Sequence, residues 1–219
     1  MMTKLTAADG HELDCWIEPA QGKRQGGIVI LQEIFGVTEQ LKGLATRYAK
    51  LGYEVAIPAL FDRQQRNAVI DFANAPAGRD LMLASDLSLT IQDIKAAVDA
   101  VAVAEGKVVV MGFCWGGGLA IRAAQKLEIA GAISFYGTRL PQYLDCPLKA
   151  PVLGHFGSED DHVPPDMLKQ ATDYLPELKV FVYEAGHAFA NDARPAAYVE
   201  EAAELAHQRN VDFLAQCMA

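Results

Sequence analysis

Cysteine is scarce: four residues in 219, at positions 15, 114, 146 and 217, with no C-x-x-C pair. That spacing points to neither a zinc-thiolate site nor a disulfide framework, so reduced thiols in a cytoplasmic protein are expected. Positive charge is scarce too. Nineteen Lys and Arg against 28 Asp and Glu give a formal net charge of −9. With no basic cluster, nucleic acid and anionic membrane drop out of the expected partners. No apolar run reaches the roughly 18 residues of a membrane span, and the opening MMTKLTAADGHELDCW lacks the basic and apolar regions of a secretory leader. Internal repeats and low-complexity tracts are missing as well. What is present is 51% hydrophobic and 21% charged, the balance of an ordinary globular chain. One domain over residues 1–219 is expected, acting as a monomer.

Apolar patterning supplies the architecture. A hairpin is predicted over residues 3–18, turning around Ala8-Asp9-Gly10 and capping a sheet edge. The runs at 26–31, 54–60, 108–111, 130–136, 151–156 and 178–183 read as strands, and most are continuously apolar, as in strands buried on both faces. Helical spacing follows Thr38, an N-cap candidate, and stops at Gly52. Further helices are predicted from Arg79 to Ala104, after Cys114, over 165–175 and over 195–217. The last is amphipathic through Tyr198, Ala202, Leu205, Val211 and Leu214. Residues 61–78 read as an irregular, polar connection, loop or short helix, that could act as a lid. Alternating strand and helix give an α/β class with a mostly parallel central sheet flanked by helices on both faces.

The segment KVVVMGFCWGGGLA, residues 107–120, carries the strongest local signal. Its Gly112-x-Cys114-x-Gly116 pattern is a nucleophile elbow with sulfur in place of the hydroxyl. A strained strand-to-helix turn needs neighbours without a Cβ, and a helix N-terminus favours a thiolate. A phosphate cradle or a merely structural buried cysteine would also fit this segment taken alone.

In α/β folds, catalytic groups collect beyond the carboxyl ends of the strands. There the sequence places Glu33, Cys114, the acidic run Glu159-Asp160-Asp161, and His187. Nucleophile, acid and histidine thus follow the α/β-hydrolase order of a triad. His162 is the rival base, but it shares a loop with the acids and would leave none from a separate strand to orient it. Trp115, after the nucleophile, and Ile34, in an earlier strand-end loop, occupy the places that donate oxyanion-hole N–H groups.

Together these segments resemble the dienelactone hydrolase family of α/β-hydrolases. The resemblance rests on Gln32-Glu33-Ile34-Phe35-Gly36, Gly112-Phe113-Cys114-Trp115-Gly116-Gly117, Gly157-x-x-Asp160-x-x-Val163-Pro164 and Ala185-Gly186-His187-x-Phe189. It implies an α/β-hydrolase fold and a Cys114-His187-Asp160 triad, Asp160 being the acid four residues before the proline. It also implies that Glu33 takes part in activating the cysteine, that no metal or cofactor is needed, and that the substrate is a small enol-lactone or ester. The family's arginine four residues after the histidine is replaced by Asn191. A second carboxylate-binding arginine would come from Arg63, Arg66 or Arg79, with Arg79 favoured and Arg194 a stand-in for the missing one. Alternatives are a general small carboxylesterase or thioesterase, or a redox-responsive or ligand-binding protein that keeps the scaffold.

Overall fold

The computed structural model describes residues 1–102 and 107–219. These fall into two compact units, Met1–Val108 and Val109–Ala219.

In the first unit the strands lie in the order β1 (Met2–Thr6), β2 (Glu12–Glu18), β4 (Tyr53–Pro58), β3 (Gly26–Leu31). The β1-β2 hairpin is antiparallel with Thr6 opposite Glu12, and Gly10 turns it at φ 85°. β2 runs antiparallel to β4, and β4 runs parallel to β3. Every residue of β3 is buried, as its unbroken apolar run requires. Helix α1 (Glu39–Ala49) starts where Thr38 accepts the Leu41 N–H, at 3.4 Å.

One expectation changes here. The helix predicted from Arg79 to Ala104 is two helices, α2 (Ala75–Ala84) and α3 (Leu87–Val101). Asp86 accepts the N–H groups of Ser88 and Leu89 at 2.8 and 3.0 Å and so caps a new helix inside the amphipathic run. The predicted end at Ala104 lies outside the described residues. Residues 61–78 are the irregular connection expected, ending in a 3-10 turn at Phe72–Asn74 and the start of α2. Gly36 bridges Val69, Ile70 donates to the Phe35 carbonyl at 2.9 Å, and Phe72 opens a 3-10 turn with its ring edge-on to Phe35 at 4.8 Å. The segment is strapped to the loop that carries Glu33.

The second unit holds β5 (Val108–Phe113), β6 (Gly131–Phe135), β7 (Val152–Gly157) and β8 (Leu178–Tyr183), adjacent in that order and all parallel. Helices α4 (Trp115–Lys126), α5 (Pro165–Tyr174) and α6 (Glu200–Met218) pack on them. The Pro141-containing linker forms a 3-10 turn, Leu140–Tyr143, held by buried side chains of α4. Gln125 donates to the Tyr143 and Cys146 carbonyls, and Arg122 to that of Gln142. Helix α6 starts five residues later than expected, and its buried face is Ala202, Ala203, Ala206, His207, Asn210 and Leu214; Leu205 is 46% exposed.

The polar residues on and beside that face have a purpose in packing. Arg209 donates to the Tyr183 hydroxyl at 2.9 Å, Tyr183 meets His155 Nδ1 at 2.8 Å, and His155 Nε2 meets Asn210 Oδ1 at 2.7 Å. The relay of donors sets the tautomer: Nδ1 accepts and Nε2–H donates. Burial pushes the His155 pKa down to about 4, against a partial gain from Asn210. The unfolded chain takes up this proton near pH 6.5 and the native protein only near 4, so stability falls as pH drops through that window. The expected result is that the stability difference between wild type and His155→Gln, measured by urea unfolding, shrinks by about 3 kcal/mol between pH 7 and pH 4.

Candidate active site

The elbow is built by backbone. Cys114 links β5 to α4 at φ 53°, ψ −114°, a conformation costly for a residue with a Cβ. It is held by its N–H on the Phe135 carbonyl at 3.0 Å and by Thr138 N–H on its own carbonyl at 3.0 Å. Gly112 is required because a Cβ there would collide with the Gly116 carbonyl. Cys114 itself is partly exposed at the α4 N-terminus.

Asp160 follows β7 and His187 follows β8. Adjacent parallel strands bring their loops together, and Ser158 and Glu159 N–H bonds to the Tyr183 and Ala185 carbonyls, at 2.8 and 3.0 Å, fasten them. Asp160 has a side chain with no exposure; its Oδ2 lies 2.7 Å from His187 Nδ1, and its Oδ1 accepts the His162 N–H at 2.8 Å. The Asp160-His187 pairing read from the sequence is present. Ala188, at φ 65°, turns the chain immediately after the histidine.

Charge follows from this geometry. Burial by itself would lower the His187 pKa, but the bond to Asp160 and the influence of Cys114 outweigh it and raise the value to about 10. Cys114 acts on the ring through a hydrogen-bonding contribution and then through its charge, although His187 Nε2 is buried and meets no partner at full hydrogen-bond geometry among the described residues. Burial would raise the Asp160 carboxyl, yet the hydrogen bond from His187 prevails and holds it below the usual carboxylate range. The pair is an imidazolium-carboxylate unit with one ring nitrogen still uncommitted.

Two side chains beside His187 were not assigned a place by the sequence. Tyr136 meets the ring edge-on at 5.1 Å, and His162 stacks on it at 4.3 Å with an interplanar angle of 24°. His162, the rival base, has a side chain 57% exposed, while His187 is the histidine bonded to Asp160 at 2.7 Å. Asp160, His162 and His187 also offer ligand atoms within 4.8 Å of one another, the arrangement among the described residues that could hold a metal ion.

In the first unit, Glu33 is buried at 5% exposure. Its loop is shaped by Gln32, whose fully buried amide accepts the Leu60 N–H at 3.1 Å and donates to the Glu33 carbonyl at 3.3 Å. Ile34 is partly exposed, and α2 presses against its carbonyl at Gly78, where a Cβ would overlap that oxygen.

The arginines separate cleanly. Arg63 is committed to Asp93, 2.7 Å away, and to Asp9, also at 2.7 Å. Arg66 donates to the Glu12 carbonyl. Arg79 lies one turn inside α2 rather than at its start, next to Gly78, and its exposed side chain makes no hydrogen bond or ion pair among the described residues. Asn191 is buried, and its Oδ1 accepts the Ala193 N–H at 3.2 Å.

Known proteins resemble this chain over almost its whole length. The profile of the dienelactone hydrolase family covers residues 15–218. A carboxymethylenebutenolidase of Pseudomonas putida is 32% identical over 223 aligned positions, 96% of this chain and 94% of that protein. A solved Klebsiella pneumoniae subsp. pneumoniae MGH 78578 structure, provisionally described as a dienelactone hydrolase, superposes with a TM-score of 0.85 at 26% identity over 99% of this chain and 98% of that one. A dienelactone hydrolase-like promiscuous phosphotriesterase from metagenomic libraries shares the fold, with a TM-score of 0.83 at 20% identity over 99% and 98% of the two chains.

Proposed function

The chain belongs to the dienelactone hydrolase family, adopts its α/β-hydrolase fold and is a hydrolase of carboxylic ester or lactone bonds; from that premise we propose that it opens small enol-lactones or esters through a thioester on Cys114. The observation that carries this reading is the 2.7 Å His187-Asp160 bond, which leaves Nε2 uncommitted in the same unit as a cysteine on a nucleophile elbow.

In the proposed sequence the Cys114 thiolate attacks the carbonyl carbon, and the N–H groups of Ile34 and Trp115 stabilise the oxyanion. Collapse breaks the acyl-oxygen bond, and His187 Nε2–H protonates the departing oxygen. Acylation removes the negative sulfur that had raised the proton affinity of His187, so the ring becomes a better proton donor at the moment one is needed. The neutral imidazole then takes a proton from water, hydroxide adds to the thioester, and collapse returns the carboxylic acid and the Cys114 thiolate. Asp160 keeps Nδ1 protonated throughout, so that Nε2 alone exchanges protons. We assign Glu33 to cysteine activation because the family motif places an acid there and burial keeps it out of bulk water. Every step draws on groups of this chain and on water.

A carboxylate on the substrate would be met by Arg79, the one arginine of the three that no other group engages among the described residues. Arg79→Ala is expected to raise KM for a carboxylate-bearing enol-lactone about tenfold, the worth of one charge-assisted hydrogen bond, and to leave KM for neutral p-nitrophenyl acetate unchanged. Side-by-side kinetics on dienelactone and p-nitrophenyl acetate test the whole reading: turnover of the lactone supports it, turnover of the simple ester alone moves the substrate to general small esters, and turnover of neither sinks it.

A further inference from the structure

His162 has a feature that the hydrolytic mechanism does not use. Its Nδ1 lies 3.6 Å from Asp160 Oδ1 while His187 Nδ1 lies 2.7 Å from Asp160 Oδ2, so two imidazole nitrogens flank one carboxylate, one at each oxygen. The three side chains come from two loops fastened by backbone hydrogen bonds, and two of them are set by packing: Asp160 has no side-chain exposure and His187 only 15%. The third, His162, is exposed at 57% and stacks on the His187 ring at 4.3 Å. Two imidazoles and a carboxylate are the donors that a borderline divalent metal prefers. In a tetrahedral zinc site, with bonds near 2.0–2.1 Å, ligand atoms stand roughly 3.3 Å apart. The 3.6 Å His162-Asp160 separation is already close to that, and all three ligand atoms lie within 4.8 Å of one another.

We propose that Asp160, His162 and His187 form a site for a divalent transition metal of the zinc type, and that occupancy switches the hydrolase off. The inhibitory consequence rests on the function proposed above; the binding does not. On binding, the imidazolium releases its Nδ1 proton to solvent and Nδ1 takes the metal in its place. The remaining ring proton then sits on Nε2, where a general base needs a lone pair. The Asp160 carboxylate, now a metal ligand, no longer orients the ring by accepting Nδ1–H. His162 thus supplies the ligand that turns a catalytic pair into a chelate, and water fills the fourth position.

The test uses the full chain as wild type, His162→Phe and Cys114→Ala. Phenylalanine keeps an aromatic face against His187 and the backbone N–H on Asp160 but offers no ligand. ZnCl2 is titrated against p-nitrophenyl acetate hydrolysis, each protein being compared with its own metal-free rate, and CoCl2 binding is followed by visible absorption, which needs no turnover. Wild type is expected to be inhibited, with recovery on adding EDTA. The His162→Phe protein is expected to need at least about tenfold more zinc for the same inhibition and to lose the cobalt bands to a similar degree. Cys114→Ala is expected to keep those bands without sulfur-to-metal charge transfer. Cobalt bands dependent on His162 in a protein that hydrolyses no ester would uphold the metal site and count against the function. Equal zinc sensitivity of wild type and His162→Phe, loss of the bands in Cys114→Ala, or no binding at all would overturn the proposal.

Discussion

Cys114→Ala is expected to reduce ester or lactone turnover by on the order of a millionfold, the scale seen when the nucleophile of a triad is removed. The fold should survive, because the bonds that hold the elbow, Cys114 N–H to Phe135 and Thr138 N–H to the Cys114 carbonyl, are backbone bonds that alanine retains. Alanine also meets the same φ of 53° with a side chain no larger than the one it replaces. A large loss of kcat with an unchanged circular dichroism spectrum would therefore isolate the sulfur. Cys114→Ser is expected to be impaired as well. A hydroxyl must give up its proton during attack, whereas His187, with its pKa near 10, is built to sit beside an anion as a cation.

The second large effect is expected from Asp160→Asn, at roughly a 10,000-fold loss of kcat/KM. Both carboxylate oxygens accept hydrogen bonds, Oδ2 from His187 and Oδ1 from the His162 N–H, and an amide can satisfy only one in that way. The imidazole would then turn or adopt the wrong tautomer. A spectroscopic signature accompanies the loss. In wild type, His187 keeps its proton until about pH 10, against burial, through Asp160 and Cys114. Without the carboxylate the ring releases its proton at lower pH, which an NMR titration of the imidazole would record. Stability follows the same logic. The contribution of His187 is present below the ordinary histidine value of about 6.5 and is lost as pH rises through about 10. That of Asp160 is present above the ordinary carboxylate range and is lost as pH falls through its lowered value. The Asp160 contribution should be missing from the Asn variant, and that of His187 reduced to the part that Cys114 supports.

Much of this was legible in the chain because the informative signals are local. β3 and β5 are unbroken apolar runs, Thr38 caps α1 where a cap residue should, and the elbow declares itself by Gly112 and Gly116 around Cys114. The rest depends on partners far apart in sequence. Nothing in residues 61–78 states that Ile70 will donate to Phe35, since that bond is backbone to backbone. The break between α2 and α3 was written in Asp86 and Ser88, but the helical spacing of Leu83, Leu87, Ile91 and Ile94 runs straight across it and masks the cap. In α6 the expected Ala202 and Leu214 are buried, but two polar residues complete the packing face in place of Leu205. His207 and Asn210 turn inward, Asn210 toward the buried His155, while Leu205 points out. The stack of His162 on His187 joins two loops whose meeting is a property of the sheet.

The most direct test of the central claim is to trap the acyl-enzyme. The full-length protein is mixed with p-nitrophenyl acetate, quenched in acid after a few milliseconds, digested and examined by mass spectrometry. The account predicts one acetyl group on the peptide containing Cys114, lost on longer incubation and accumulating in His187→Ala if acylation still proceeds there. Acetyl on another residue, or turnover that persists undiminished in Cys114→Ala, would contradict it.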